Sequence, residues 1–298
     1  MTKTSLETTG VREVAEVFRP GSAHMVGDGF PVRNLFPSND LDQALSPFLM
    51  LDYAGPTYFP PTDHPRGVGE HPHRGFETVT IVYQGRLAHR DSGGNAGVIG
   101  PGDVQWMTAA SGVVHEELHE RAWAKEGGTL QAVQLWVNLP AKDKMSPPRY
   151  QTIVDGEIPA VPLPNDGGVA RVIAGQVGTV RGSAKTFTPV ELYDVRLKAG
   201  RETEVAIPSG HQAAVFVLGG EVTVNGTATV GEAELALLGH NGDRVRLQAV
   251  GGDGTVLIMA GAPINEPIAR YGPFVMNTRD EIVQAVQDYQ AGKMGHLA

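Results

Sequence analysis

The 298-residue chain contains no cysteine. That excludes disulfides, thiolate zinc sites and iron–sulfur clusters. It also lacks an excess of positive charge: 24 Lys and Arg stand against 33 Asp and Glu, a formal net charge of -9. With no basic stripe, direct nucleic-acid binding is not expected. No apolar run approaches membrane-spanning length, and the opening MTKTSLETTGVREVAEVF carries no apolar signal core. The expectation is a cytoplasmic protein with no membrane contact. What the chain has in quantity is turn residues, with Gly 38 and Pro 21. Turn residues between short alternating apolar runs predict an all-β fold.

Residues 1–45 read as an irregular opening segment, with loose alternation from Val11 to Phe18. Residues 47–51 (PFLML) are a short strand. Residues 55–69 (GPTYFPPTDHPRGVG) predict an ordered loop without regular structure, a candidate pocket wall. Strands follow around 78–83, 86–90, 104–107, 113–115 and 131–139. Six prolines between Pro140 and Pro164 mark the best domain boundary. The reading is a first barrel over 1–140, a Pro-rich linker over 141–165 and a second barrel over 166–298. The second half repeats the strand–turn rhythm, including an Asn225-Gly226 hairpin signal. A terminal helix is predicted from the Thr278–Glu281 capping box, the face Ile282, Val286 and Tyr289, and the stop at Gly292.

The chemistry gathers between Glu70 and Glu117. His71 and His73 are two apart, and so are His115 and Glu117. In a strand, residues i and i+2 share a face, so each pair can aim at one point. Three imidazoles and a carboxylate suit iron, zinc, nickel, manganese or copper. The second half has no such pair, and its isolated His211 and His240 read as surface or structural. Glu77 lies four after His73, with Gly75 between them able to break the strand phase. Gly112 reads as room for a tight approach to the site. Trp106 reads as pocket lining or core, and Met107 as core. His89 and Asp91 read as a satisfied turn network. His119 reads as exposed, Glu116 as outward-facing, and His64 as a loop residue near the pocket rim.

HPHRGFETV, PGDVQWMTA, GVVHEE and EPIARYGPFVMNTRDEI together resemble the pirin family, in order from about residue 20 to 290. The resemblance implies a bicupin, two antiparallel jelly-roll-like β-barrels of which only the first holds metal. It implies one divalent ion per chain on His71, His73, His115 and Glu117. Iron is the expected metal, with nickel, manganese, cobalt, copper and zinc as alternatives. Cupins in general use the glutamate at the position of Glu77 as a ligand. The pirin pattern uses Glu117, leaving Glu77 and Arg74 to orient the ligands by hydrogen bonds. Some family members open the central ring of the flavonol quercetin with dioxygen and release carbon monoxide; others act as regulators bound to partner proteins. The expected function is therefore a flavonol dioxygenase with Glu117 as proton acceptor. The alternative is an iron-dependent redox sensor working through a protein partner.

Overall fold

The structure, a computed structural model, describes residues 10–35 and 39–297. It is built almost entirely of antiparallel strands, with a terminal helix at Arg279–Gln290. The chain divides into two compact units. One holds Gly21–Gln43, Pro47–Glu157 and Ile264–Ala298; the other holds Ile158–Pro263, the N-terminal segment through Pro20, and Ala44–Ser46. The ends of the chain are thus exchanged relative to the division expected at 141–165. The terminal helix belongs to the unit of the first barrel, where Ile282 and Ala285 pack with Val114, Phe274 and Met276. Strand Val14–Phe18 pairs with Leu235–Leu238 in the other unit. The expected linker is also not free chain, since Arg149–Ile153 pairs with Val104–Thr108.

The first barrel comprises a seven-stranded and a four-stranded sheet. The larger has Phe76–Gln84, Gly128–Asn138 and Phe48–Phe59 at its centre, with Val104–Thr108 beside the first of them. The smaller carries Gly67–His73, Val113–His119, Leu87–Asp91 and Ala96–Ile99 in that order. Hydrogen bonds from Thr80 and Gln105 in the larger sheet to Glu117 in the smaller show that their inner faces meet.

The loop expected over 55–69 is mostly strand. Phe48–Phe59 runs on through Gly55 and Pro56 because the ladder to Gly128–Asn138 shifts register there. A proline at an irregularity removes no ladder bond. Only residues 60–66 lack regular structure before the strand Gly67–His73 begins.

Gly75 connects the two sheets. The chain leaves the smaller sheet at His73 and enters the larger at Phe76. Gly75 turns it with φ +91, and a Cβ there would meet the Val275 carbonyl oxygen at 1.9 Å. Only glycine serves at such a point. Lys144 secures the same junction. Its buried ammonium donates to Gly75 O at 2.7 Å, Asn138 Oδ1 at 2.6 Å and Val275 O at 3.0 Å. Burial lowers its pKa to about 7.

The second barrel is a nine-stranded sheet around an apolar core that includes Val172, Tyr193, Val215, Leu247 and Ile258. Asn225 and Gly226 both take positive φ in the predicted hairpin. Arg12 is buried and donates to the carbonyls of Pro208, His211 and Gly242. His211 is therefore engaged structurally through its backbone.

Candidate metal centre

His71 and His73 end the strand Gly67–His73, and His115 faces His71 directly across the ladder. The ring centroids of His71 and His115 are 4.2 Å apart; those of His73 and His115 are 4.9 Å apart. One nitrogen from each ring lies within 4.8 Å of the others, an arrangement able to hold a metal ion.

Each imidazole has its Nδ1 engaged. His71 Nδ1 is 2.8 Å from Gly69 O, and His73 Nδ1 is 3.3 Å from Pro273 O. A carbonyl only accepts, so both Nδ1 atoms carry the proton and both Nε2 atoms keep a lone pair. His115 Nδ1 lies 3.3 Å from His89 Nδ1, while His115 Nε2 is buried without a partner. A buried unpartnered nitrogen among other lone pairs is what a metal site looks like without its ion. Burial also holds the His73 and His115 rings neutral. It lowers the His73 pKa to about 3, with His71 adding to the effect and the Pro273 carbonyl opposing it. His115 is held well below the ordinary imidazole value by burial and then by His73, His71 and His89.

Glu117 is buried on the same strand as His115. Its carboxylate accepts from Thr80 Oγ1 at 3.2 Å, Gln105 Nε2 at 3.2 Å and Gln134 Nε2 at 2.7 Å. It forms a second, overlapping group of metal-competent atoms with His89 and His115, not with His71 and His73. Both groups lie in the first barrel, and the described residues of the second barrel hold none. A small cavity of about 40 Å³ adjoins Glu117. Phe30, Val32, Val68, Leu87 and Ala132 give it apolar walls. Asp52 adds a carboxyl whose pKa burial raises and which accepts from Asn34 at 2.7 Å.

Three expected supporting residues stand elsewhere. Glu77 faces away from the site. Phe76 packs on His73 and Thr80 bonds Glu117, so the alternate residue Glu77 points to the opposite face of its strand. There it accepts from Thr108 at 2.6 Å and sits fully buried. Burial raises its pKa to about 7, with Thr108 and Trp106 opposing. Trp106 shares that outer face, opposite Val79, and is core. The Gly75 turn is the physical reason, because it breaks the phase between His73 and Glu77. Arg74 pairs not with Glu77 but with Asp288, at 2.9 Å, and donates to Ser111 O.

Other residues also differ from expectation. His119 is buried rather than exposed. It donates from Nε2 to Gly29 O at 3.0 Å and packs edge-on against Phe59. A strand that alternates inward at 113, 115 and 117 carries 119 inward as well. Gly112 gives close approach, but to Met294 rather than to the site. Glu116 points outward to Arg90. Asp91 does cap its turn, at Gly93 and Asn95, yet its other oxygen meets His89. The residues sequence reading missed are His89, Gln105, Thr80 and Gln134. No spacing within one strand signals them, because each meets Glu117 or His115 from another strand.

The chain matches two family profiles, Pirin over residues 29–137 and the Pirin C-terminal cupin domain over residues 192–295. It is 54% identical over 283 residues to a protein of Pseudomonas aeruginosa named putative quercetin 2,3-dioxygenase, covering 95% of this chain and 98% of that one. A pirin-like protein of Solanum lycopersicum is 40% identical, covering 90% of this chain and 88% of that one. The crystal structure of a quercetin 2,3-dioxygenase from Acinetobacter baumannii superposes with a TM-score of 0.93 at 47% identity, covering 97% of this chain and 100% of that one.

Proposed function

The chain belongs to the pirin family of bicupins, and from that premise we propose that it is a metal-dependent dioxygenase that opens the central ring of quercetin-like flavonols with O2. The single observation that carries this reading is the convergence of three imidazoles beside a buried carboxylate and an apolar-walled cavity. His71, His73 and His115 would hold one divalent ion, with iron as the leading metal and Glu117 as the neighbouring acid. When bound, such an ion supplies a Lewis acid that stabilises an ionised flavonol oxygen.

The chain's own residues do the rest. The apolar walls beside Glu117 offer contact to the edge of a flat aromatic ring. Glu117 takes the proton of the 3-hydroxyl. Gln105 and Gln134 fix the orientation of its carboxylate before the proton arrives. Asp52 offers a second polar contact to a hydroxylated ring.

The test uses purified protein stripped of metal and reloaded separately with Fe(II), Ni(II) and Mn(II). Flavonol loss matched by oxygen uptake and carbon monoxide release, and absent under anaerobic conditions, supports the reading. No oxygen uptake with any metal across a range of flavonols would sink it.

A further inference from the structure

The flavonol reading leaves His89 and Asp91 without a task, yet both are buried at the site. They lie on Leu87–Asp91, the strand paired with the His115 strand, with Asp91 opposite His115 and His89 opposite Glu117. His89 stacks on Tyr150 at 4.8 Å and an interplanar angle of 13°, which fixes its ring plane. Its Nε2 lies 3.2 Å from Asp91 Oδ2. Its Nδ1 lies 3.3 Å from His115 Nδ1 and 3.4 Å from Gln105 Nε2.

We propose that Asp91 and His89 are positioning residues that set the tautomer of His115 and so keep its Nε2 lone pair free for a metal. The inference rests on the reading of His115 as a ligand. Its steps follow from which atoms can only donate or only accept. Glu117 is a carboxylate, so the Gln105 atom facing it is the amide nitrogen, and Tyr150 donates to the amide oxygen at 3.2 Å. That nitrogen also faces His89 Nδ1, and an amide nitrogen only donates. Asp91 accepts from His89 Nε2. Both neighbours therefore put the single His89 proton on Nε2 and leave Nδ1 an acceptor. His115 Nδ1–H is the second donor at that acceptor, sharing its single lone pair with Gln105 Nε2–H. With its proton held there, His115 keeps a lone pair on the buried, unpartnered Nε2. Backbone carbonyls do the same for His71 and His73. Only His115 depends on side chains, and so it is the ligand a point substitution can reverse.

Asp91→Asn is that substitution. The amide oxygen still caps Gly93 and Asn95, but the amide nitrogen now donates toward His89 Nε2. The His89 proton moves to Nδ1, where it opposes the His115 proton and drives it to Nε2. Long-range 1H–15N correlation spectra of metal-free protein should show His115 protonated on Nδ1 in the parent and on Nε2 in Asp91→Asn. Ni(II) affinity, measured by calorimetry, should fall roughly 10–100-fold, as for other supports of metal-bound histidines. His89→Phe keeps the ring against Tyr150 and removes the acceptor. It should leave His115 a tautomer mixture and weaken Ni(II) comparably. Arg90→Gln, outward on the same strand, should change neither. If His115 keeps its tautomer in Asp91→Asn, or if both buried variants bind Ni(II) within twofold of the parent, the inference fails. Neither readout needs turnover, so an inactive parent showing the expected switch would sink the flavonol reading alone.

Discussion

The two barrels fill their interiors with opposite chemistry. The first points His73, His115, Thr80, Gln105 and Glu117 inward. The second gathers its largest apolar cluster from valine, leucine, isoleucine and alanine, with Tyr193 among them. Both are antiparallel β-structures with similar strand–turn rhythm, so the architecture does not require a polar interior. Inward polar groups are unfavourable unless partnered, and the first barrel partners nearly all of those around the histidines. The nitrogen it leaves open, His115 Nε2, is the one a metal would use.

The comparison is broken most completely by emptying the first interior. His71→Ala combined with His73→Ala should reduce bound metal from one ion per chain to none by elemental analysis. His211→Ala, in the second barrel, should leave one ion in place. Retention of metal in the double variant would mean that the ion is held elsewhere. Glu117→Gln comes next. It removes the proton acceptor, and kcat should fall roughly 10²–10⁴-fold, the usual contribution of a positioned acid or base. Stopped-flow turnover of quercetin checks this, and a change under tenfold would argue against Glu117.

The second interior is tested by Leu247→Ala. Leu247 is fully buried in the apolar cluster, so truncation should cost about 2–5 kcal/mol by denaturant unfolding. The metal content of folded protein should stay the same. The last effect expected is at Glu77, and it depends on pH. Its folded-state pKa is raised from 4.5 to about 7. The stability it contributes is therefore fully present below pH 4.5 and is lost as pH rises through 7. Glu77→Gln cannot ionise, so from pH 4 to pH 8 it should gain on the order of 3 kcal/mol relative to the parent. Loss of metal from Glu77→Gln would instead return that residue to the site.

How much of this was readable in sequence depends on strand phase. His71, His73 and His115 were legible as a cluster because a spacing of two within one strand fixes the face, whereas the grouping of Glu117 with His89 and His115 and not with His71 and His73 was not legible. The fold class was legible from turn residues and alternation, and the terminal helix from its capping box. Glu77 was misplaced, and Trp106 left open between pocket and core, because their faces depend on the turn at Gly75 and on the pairing of two further strands. His89 and Gln105 were missed for the same reason: their roles exist only across strands. The domain boundary was drawn at the prolines, where composition changes. Composition carries no trace of Val14–Phe18 crossing to one unit and Arg279–Gln290 returning to the other.

That return has a consequence for synthesis. Pro273 supplies the carbonyl for His73 Nδ1 across 200 residues of sequence, and Asp288 meets Arg74 across 214. At roughly 5–20 residues per second, on the order of 10–40 s separates translation of the histidine pair from that of the segment that braces it. Throughout that interval the emerging first barrel has its histidines but lacks the Pro273 carbonyl, the Val275 carbonyl against Gly75 and the partner of Arg74. The centre is therefore among the last parts of the molecule to reach its final geometry, although most of its donors are made in the first half of the chain.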